Sequence, residues 1–242
     1  MTIEKMIRIG VEALSSKDCN AKLEAEILLS QACGKSKTFL LSHDDYILDT
    51  DSIRRFSAIL SKRVEGVPIA YLTGKREFWS INFAVSPDTL IPRPETECLV
   101  DHVLDALPID QPACIADLGT GCGAIAIAIA KERPNCNVVA TDLSNAALRV
   151  ATHNVRRHSL NNVHFWLGNW TDAIAEDSLD MVVSNPPYIS PSDPHLKQGD
   201  LRFEPTLALC APKQGFAHIE HLCATAKNCL IDGGMLAIEH GA

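Results

Sequence analysis

The chain has 242 residues, 46% hydrophobic and 21% charged, which is material for a sizeable core in one large or two small domains. Its formal net charge of −8 argues against a partner held mainly through phosphates, and no apolar run reaches the roughly 18 residues of a membrane span. Nine cysteines without a C-x-x-C pair read as reduced thiols in a cytoplasmic protein, and nine dispersed histidines without a Cys/His cluster argue against a metal site.

Residues 1–72 predict a small all-α helical bundle, expected to pack on a neighbour or dock a partner. Ile3, Met6, Ile7, Val11 and Leu14 recur at helical spacing, as do Leu23 to Ala32 up to a stop at Gly34. Asp51-Ser52 are expected to cap a third helix carrying Ile53, Phe56, Ile59, Leu60 and Val64, ended by Gly66 and Pro68. In residues 73–90 the stretch Glu77 to Val85 is rich in aromatic and β-branched residues and reads as a β-hairpin linker.

Residues 91–242 then alternate strand and helix, the pattern of an α/β domain with a mostly parallel, doubly wound sheet. Strands are expected at Cys114 to Leu118, Asn137 to Thr141, Val163 to Leu167, Leu179 to Ser184 and Met235 to Glu239. Helices are expected from Ala124, after a Ser144 cap, and from Ile219 to Leu230.

Three features in this second part carry chemistry. The first strand runs into Gly119-Thr120-Gly121-Cys122-Gly123, where alternate glycines let the backbone turn tightly against a ligand at a helix start. It is neither the dinucleotide fingerprint nor a P-loop. Asp142 ends the second strand about twenty residues later, the place of a carboxylate that grips ribose hydroxyls. Trp170 follows the third strand and either covers an adenine face or belongs to the core. The fourth strand stops at Asn185-Pro186-Pro187-Tyr188, which reads either as a rigid turn or as a clamp on a planar –NH₂ group. A nucleoside-like ligand beside an amide clamp suits methylation of an amide or exocyclic amino nitrogen.

Those residues resemble class I S-adenosylmethionine-dependent methyltransferases acting on nitrogen, with a Rossmann-like fold. Together with Ile91-Pro92-Arg93-Pro94-Glu95-Thr96-Glu97, Arg202-Phe203-Glu204-Pro205 and the helical N-terminus, the whole chain resembles the release factor glutamine methyltransferases (the PrmC/HemK family). The resemblance implies methylation of the glutamine amide in the Gly-Gly-Gln motif of bacterial peptide chain release factors. It implies that Gly119, Thr120, Gly121, Cys122, Gly123, Asp142, Trp170 and Asn185 bind S-adenosylmethionine, with S-adenosylhomocysteine as product. Asn185, Pro186, Pro187 and Tyr188 would bind the glutamine, and Asn185, Pro186 and Tyr188 would carry the transfer.

Cys122 stands where the family often has serine. The family also continues past Glu239-His240-Gly241 into a helix and a closing pair of strands, so the sheet is expected to lack its last strands. Arg93, Glu95 and Glu97 read equally as site residues or as helix-start residues. Alternatives are a ribosomal-protein glutamine methyltransferase, an adenine-N6 nucleic acid methyltransferase and a non-catalytic interaction module. A monomer without nucleic acid or membrane partners is expected.

Overall fold

The computed structural model describes residues 1–15 and 20–241. The chain divides into two compact units, Met1–Gly74 and Lys75–Ala242.

The first unit is helical: α1 (Ile3–Leu14), α2 (Ala21–Cys33), α3 (Lys37–Ser42), α4 (Thr50–Glu65) and α5 (Ile69–Thr73). Its apolar stripes meet in one core, with Ile3, Leu28, Leu29, Leu40 and Phe56 almost wholly buried. The cap of α4 is Asp49, two residues before the expected Asp51-Ser52. Its carboxylate accepts from the Ser52 N–H at 2.7 Å while its own backbone is extended, as a capping residue requires. Gly34 and Gly66 end their helices in the left-handed conformation, as expected. The periodicity did not announce α3 and α5, because five or six residues are too few to display a helical period.

The second unit begins with a hairpin of β1 (Lys75–Phe78) and β2 (Ile81–Ala84). Its two-residue turn, Trp79-Ser80, has φ of 52° and 53°, so non-glycine residues adopt the mirror-image turn that matches strand twist. The hairpin is fastened within this unit: buried Asn154 accepts from the Ala84 N–H at 2.7 Å and donates to the Ala84 and Cys122 carbonyls.

A 3₁₀ turn, Pro94–Thr96, leads into α6 (Glu97–Ala106). There follow β3 (Cys114–Leu118), α7 (Ala124–Glu132), β4 (Asn137–Asp142), α8 (Asn145–Arg157), β5 (Val163–Leu167), β6 (Leu179–Ser184), α9 (Thr206–Leu209), α10 (Ala217–Cys229) and β7 (Leu230–Ile238). The sheet order is β5-β4-β3-β6-β7, and every pair is parallel. Alternate residues of β3 point to opposite faces. Asp117 meets the Ala126 N–H of α7, whereas Ala116 and Leu118 pack with Leu222 and Ala226 of α10. Helices therefore cover both faces, as a parallel sheet of apolar strands demands.

Strand β7 starts five residues earlier than expected. Leu230 already pairs with Leu179, and the register then shifts before Met181, with Gly233 at φ 82° allowing the irregularity.

The strand order reverses between β3 and β6, which both leave the sheet at the same end. This switch point is where parallel α/β sheets bind ligands.

Candidate active site

Beyond β3 the chain folds back on itself. The Gly119 and Thr120 N–H groups both donate to the Thr141 carbonyl at 2.9 Å, and Gly119, Gly121 and Gly123 all have positive φ. The Asp142 carboxylate accepts from the Gly121 N–H and the Ser144 N–H, each at 2.8 Å, locking the end of β4 against the turn. Burial raises the Asp142 pKa above its ordinary 3.8, although these two amides oppose the shift.

Beneath the turn lies Asp117, wholly buried. One carboxylate oxygen accepts from the Thr120 hydroxyl at 2.6 Å and the Ala126 N–H at 3.1 Å; the other, Oδ1, has no partner among the described residues. Desolvation pushes this carboxyl up to about 7. The neighbouring Cys122 thiol is pushed up to about 12 by burial, so it is an inert, protonated packing group.

The end of β6 is tied to the end of β3 by the Ser184 hydroxyl, which donates to the Leu118 carbonyl at 2.6 Å. Asn185 follows at once. Its Nδ2 donates to the Thr96 hydroxyl at 3.0 Å. After the two prolines, Ile189 pairs with the segment Leu209 to Ala211 through two 2.9 Å backbone bonds. The Tyr188 hydroxyl reaches a Glu239 oxygen at 3.4 Å, and burial, followed by Glu239, raises its pKa.

Three recesses meet here. The largest, about 840 Å³ with its open mouth, is lined by Gly119, Gly121, Asp142, Trp170, Asn185 and Pro187 among others. A second, beside it, is lined by Gly119 to Cys122, Thr96, Arg93 and Asn185. The third is lined by Asn185, Pro186, Pro187, Tyr188 and Arg93. Asn185 and Leu90 belong to all three, so they stand at the junction.

The sequence-selected residues therefore converge, with one exception. Gly123 lines none of these recesses. Its left-handed backbone starts α7, and a Cβ there would come within 3.2 Å of both Ala151 and Ile127, so its place is in helix packing. Trp170, itself at φ 50°, lies with its ring over Gly119, where a Cβ would come within 3.2 Å. It also packs on the core cluster that holds Leu118 and Leu222, and lies 5.3 Å, centroid to centroid, from His218, which lines the large recess. Burial and nearby His221 lower the pKa of His218.

The segment 91–97 divides into distinct tasks. Glu204, whose side chain has no exposure, accepts from the Ile91 N–H at 3.0 Å and forms an ion pair with Arg93. Glu97 accepts from the Trp79 N–H at 2.8 Å and so holds the hairpin turn. Glu95 lines a separate cleft with His102 and Glu239. Leu90 and His218 carried no motif signal. Thr96 and Glu204 stood in quoted motifs, but their partners lie 89 and 113 residues away.

Comparison with known proteins agrees with this geometry. Residues 5–74 match the PrmC N-terminal domain family and residues 95–199 the Methyltransferase small domain family. The chain is 44% identical over 241 residues to the release factor glutamine methyltransferase of Escherichia coli K12, covering 100% of this chain and 86% of that protein. It is 47% identical over 220 residues to the Xylella fastidiosa Temecula1 protein of the same name, covering 91% of this chain and 80% of that one. The Coxiella burnetii protein of that name is 43% identical over 241 residues, with 100% and 86% covered. With a nucleoside-sized recess at the switch point, an amide at its inner end and this degree of identity along its whole length, the chain belongs to the release factor glutamine methyltransferase family.

Proposed function

We propose that this chain transfers a methyl group from S-adenosylmethionine to the side-chain amide nitrogen (N5) of the glutamine in the Gly-Gly-Gln motif of bacterial peptide chain release factors. The observation that carries this reading is the position of Asn185 at the junction of three recesses. Two of them border the glycine turn and one is walled by Pro186, Pro187 and Tyr188.

The residues present fit the cofactor. Buried Asp117 Oδ1 is a polar atom without a partner among the described residues, beneath the glycine turn that borders the recess a cationic ligand would enter. Asp142 keeps lone pairs free for ribose hydroxyls beyond the two amides it already accepts. Gly119, Thr120, Gly121 and Cys122 would cradle the methionine end, and Trp170 with His218 would flank the base. When bound, S-adenosylmethionine supplies a methyl group on a sulfonium.

The protein's own work is orientation. A glutamine amide is a weak nucleophile because its lone pair is delocalised into the carbonyl. The Asn185 Oδ1 and the Pro186 carbonyl accept the two amide hydrogens, aim the nitrogen and favour the positive charge that develops on it. Tyr188 packs on the flat amide and excludes water, and its raised pKa keeps the ring hydroxyl neutral. No side chain removes a proton before transfer.

The release factor is the protein partner, docked by the helical unit, which exposes Leu41, Tyr46 and Ile47. The setting is the cytoplasm and the protein is a monomer. No helix of the described residues is long and apolar enough to cross a membrane. The relatives carry the name of the release-factor branch, which favours that substrate over a ribosomal protein or nucleic acid.

The test supplies labelled S-adenosylmethionine with a release factor, its Gln→Ala variant, a ribosomal protein or DNA. Label is expected on the first alone. Asn185→Ala is expected to lose roughly 2–4 kcal/mol of transition-state stabilisation, as when other charge-stabilising contacts are removed, and to weaken cofactor binding far less than turnover. Undiminished turnover by that variant would sink the clamp.

A further inference from the structure

The side chain of Asn185 is held from a segment 89 residues earlier in the chain. Its Nδ2 donates to Thr96 Oγ1 at 3.0 Å, and Thr96 is only 4% exposed. Thr96 stands immediately before α6, where a threonine ordinarily caps the helix with its hydroxyl. This one does not: its backbone is helical, with φ −64° and ψ −18°, and its side chain caps no N–H. The hydroxyl is committed to Asn185 instead.

That commitment matters because an amide has two unlike ends. Only Oδ1 can accept hydrogens from a substrate –NH₂ group. If the amide turned over, donor would face donor and a hydrogen bond would be exchanged for a repulsion. We propose that Thr96 is the positioning residue that holds the Asn185 side chain at the junction of the recesses. With Thr96 fixing the side chain through the amide nitrogen, Oδ1 is the end left for the glutamine. The proposal rests on the reading of Asn185 as the amide clamp.

Thr96 is itself well fixed. A β-branched side chain has few χ1 choices, and the preceding turn begins with a proline. Arg93, three residues before it, is paired with buried Glu204, and the Thr96 N–H donates to the Arg93 carbonyl at 3.2 Å. Glu97, the next residue, is bonded to the hairpin turn. The acceptor for the Asn185 amide therefore sits in a segment fastened on both sides.

The experiment compares Thr96→Val, which keeps the shape and deletes the hydroxyl, with Thr96→Ser, which keeps the hydroxyl. Methyl transfer to a purified release factor is expressed per cofactor-binding site, so that an ill-folded fraction does not imitate the effect. Thr96→Ala repeats the measurement should the valine variant fail to fold. The valine variant is expected to lose roughly 10- to 100-fold in kcat, the scale of a misoriented reacting group, with cofactor affinity changed less than about 2-fold. The serine variant is expected to recover to within about 3-fold of the parent. In an Asn185→Ala background Thr96→Val is expected to add nothing, because the group it orients is gone.

Parental kcat in the valine variant, a serine variant as impaired as the valine one, or a full additional loss in the Asn185→Ala background would each overturn the proposal. If Asn185→Ala alone turns over normally, the clamp falls and the proposal falls with it. If Asn185→Ala is inactive while Thr96→Val is not, only the role of Thr96 falls.

Discussion

The two halves of the cleft are built by different means. The half proposed for the cofactor is local. Gly119 and Thr120 bond to Thr141, Gly121 to Asp142 and Thr120 to Asp117, all inside the unit β3-α7-β4. The half proposed for the substrate is assembled from distant chain. Asn185 leans on Thr96, Ile91 and Arg93 on Glu204, and Tyr188 on Glu239. A βα unit closes its own turn as it folds, whereas the amide clamp exists only once four separated segments have come together. Damage to the second half should therefore cost turnover and stability while sparing cofactor affinity.

The most severe way to break that contrast is Gly215→Ala. Gly215 has φ 100°, and a Cβ there would lie 2.2 Å from the Tyr188 carbonyl oxygen. Backbone cannot yield as a flexible side chain does, so strain and overlap together should cost about 4 kcal/mol of stability by urea unfolding. The surviving folded protein should bind cofactor and fail to transfer. Weakened cofactor affinity with a normal kcat would mean that the two halves are not separable in this way.

Glu204→Ala comes next. It leaves the Ile91 N–H and the Arg93 guanidinium without their shared buried carboxylate, at a cost of about 3 kcal/mol. Calorimetry should register that loss together with a fall in kcat, while the affinity for S-adenosylmethionine changes little. Asp142→Ala should do the reverse. Cofactor affinity should weaken by roughly 1–3 kcal/mol, with kcat near the parental value at saturation. An unchanged dissociation constant would remove Asp142 from the ribose.

The same contrast governs what could be read in advance. The cofactor half was legible because its signals are adjacent in sequence: a strand, alternate glycines, a second strand and an acidic residue at its end. The positions of the strands along the chain and the caps at Gly34, Gly66 and Ser144 were legible for the same reason. In the substrate half, Asn185 to Tyr188 announced itself, but its supports did not. Nothing local to Thr96 says that its hydroxyl is withheld from α6 and given to an asparagine 89 residues on. Glu204 was visible only as part of a familiar string, without its task. Gly123 has a second task that spacing does not reveal. It shares the spacing of its neighbours, yet its crowding against Ala151 and Ile127 gives it to the helix. The Asp49 cap was missed because Asp51-Ser52 offered an equally good signal two residues later.

The last test addresses the floor of the cofactor half through its pH dependence. Asp117 titrates at about 7 in the folded protein against an ordinary 3.8, because burial penalises its charged form more than Thr120 and Ala126 favour it. Between those values the native state holds a proton that the unfolded chain has released. The contribution is thus fully present below about pH 3.8 and is lost as pH rises through about 7. Asp117→Asn removes this titration, so the stability of the parent relative to the variant should fall across that interval and level off above it. A cation brought into the cleft favours the ionised carboxylate and lowers its pKa. S-adenosylmethionine binding near pH 6.5 should therefore release protons from the parent and not from the variant, which calorimetry in two buffers of different ionisation enthalpy would read. Equal proton release from both would mean that the orphaned Oδ1 does not sense the ligand's charge, and that Asp117 serves only to tie the glycine turn to α7.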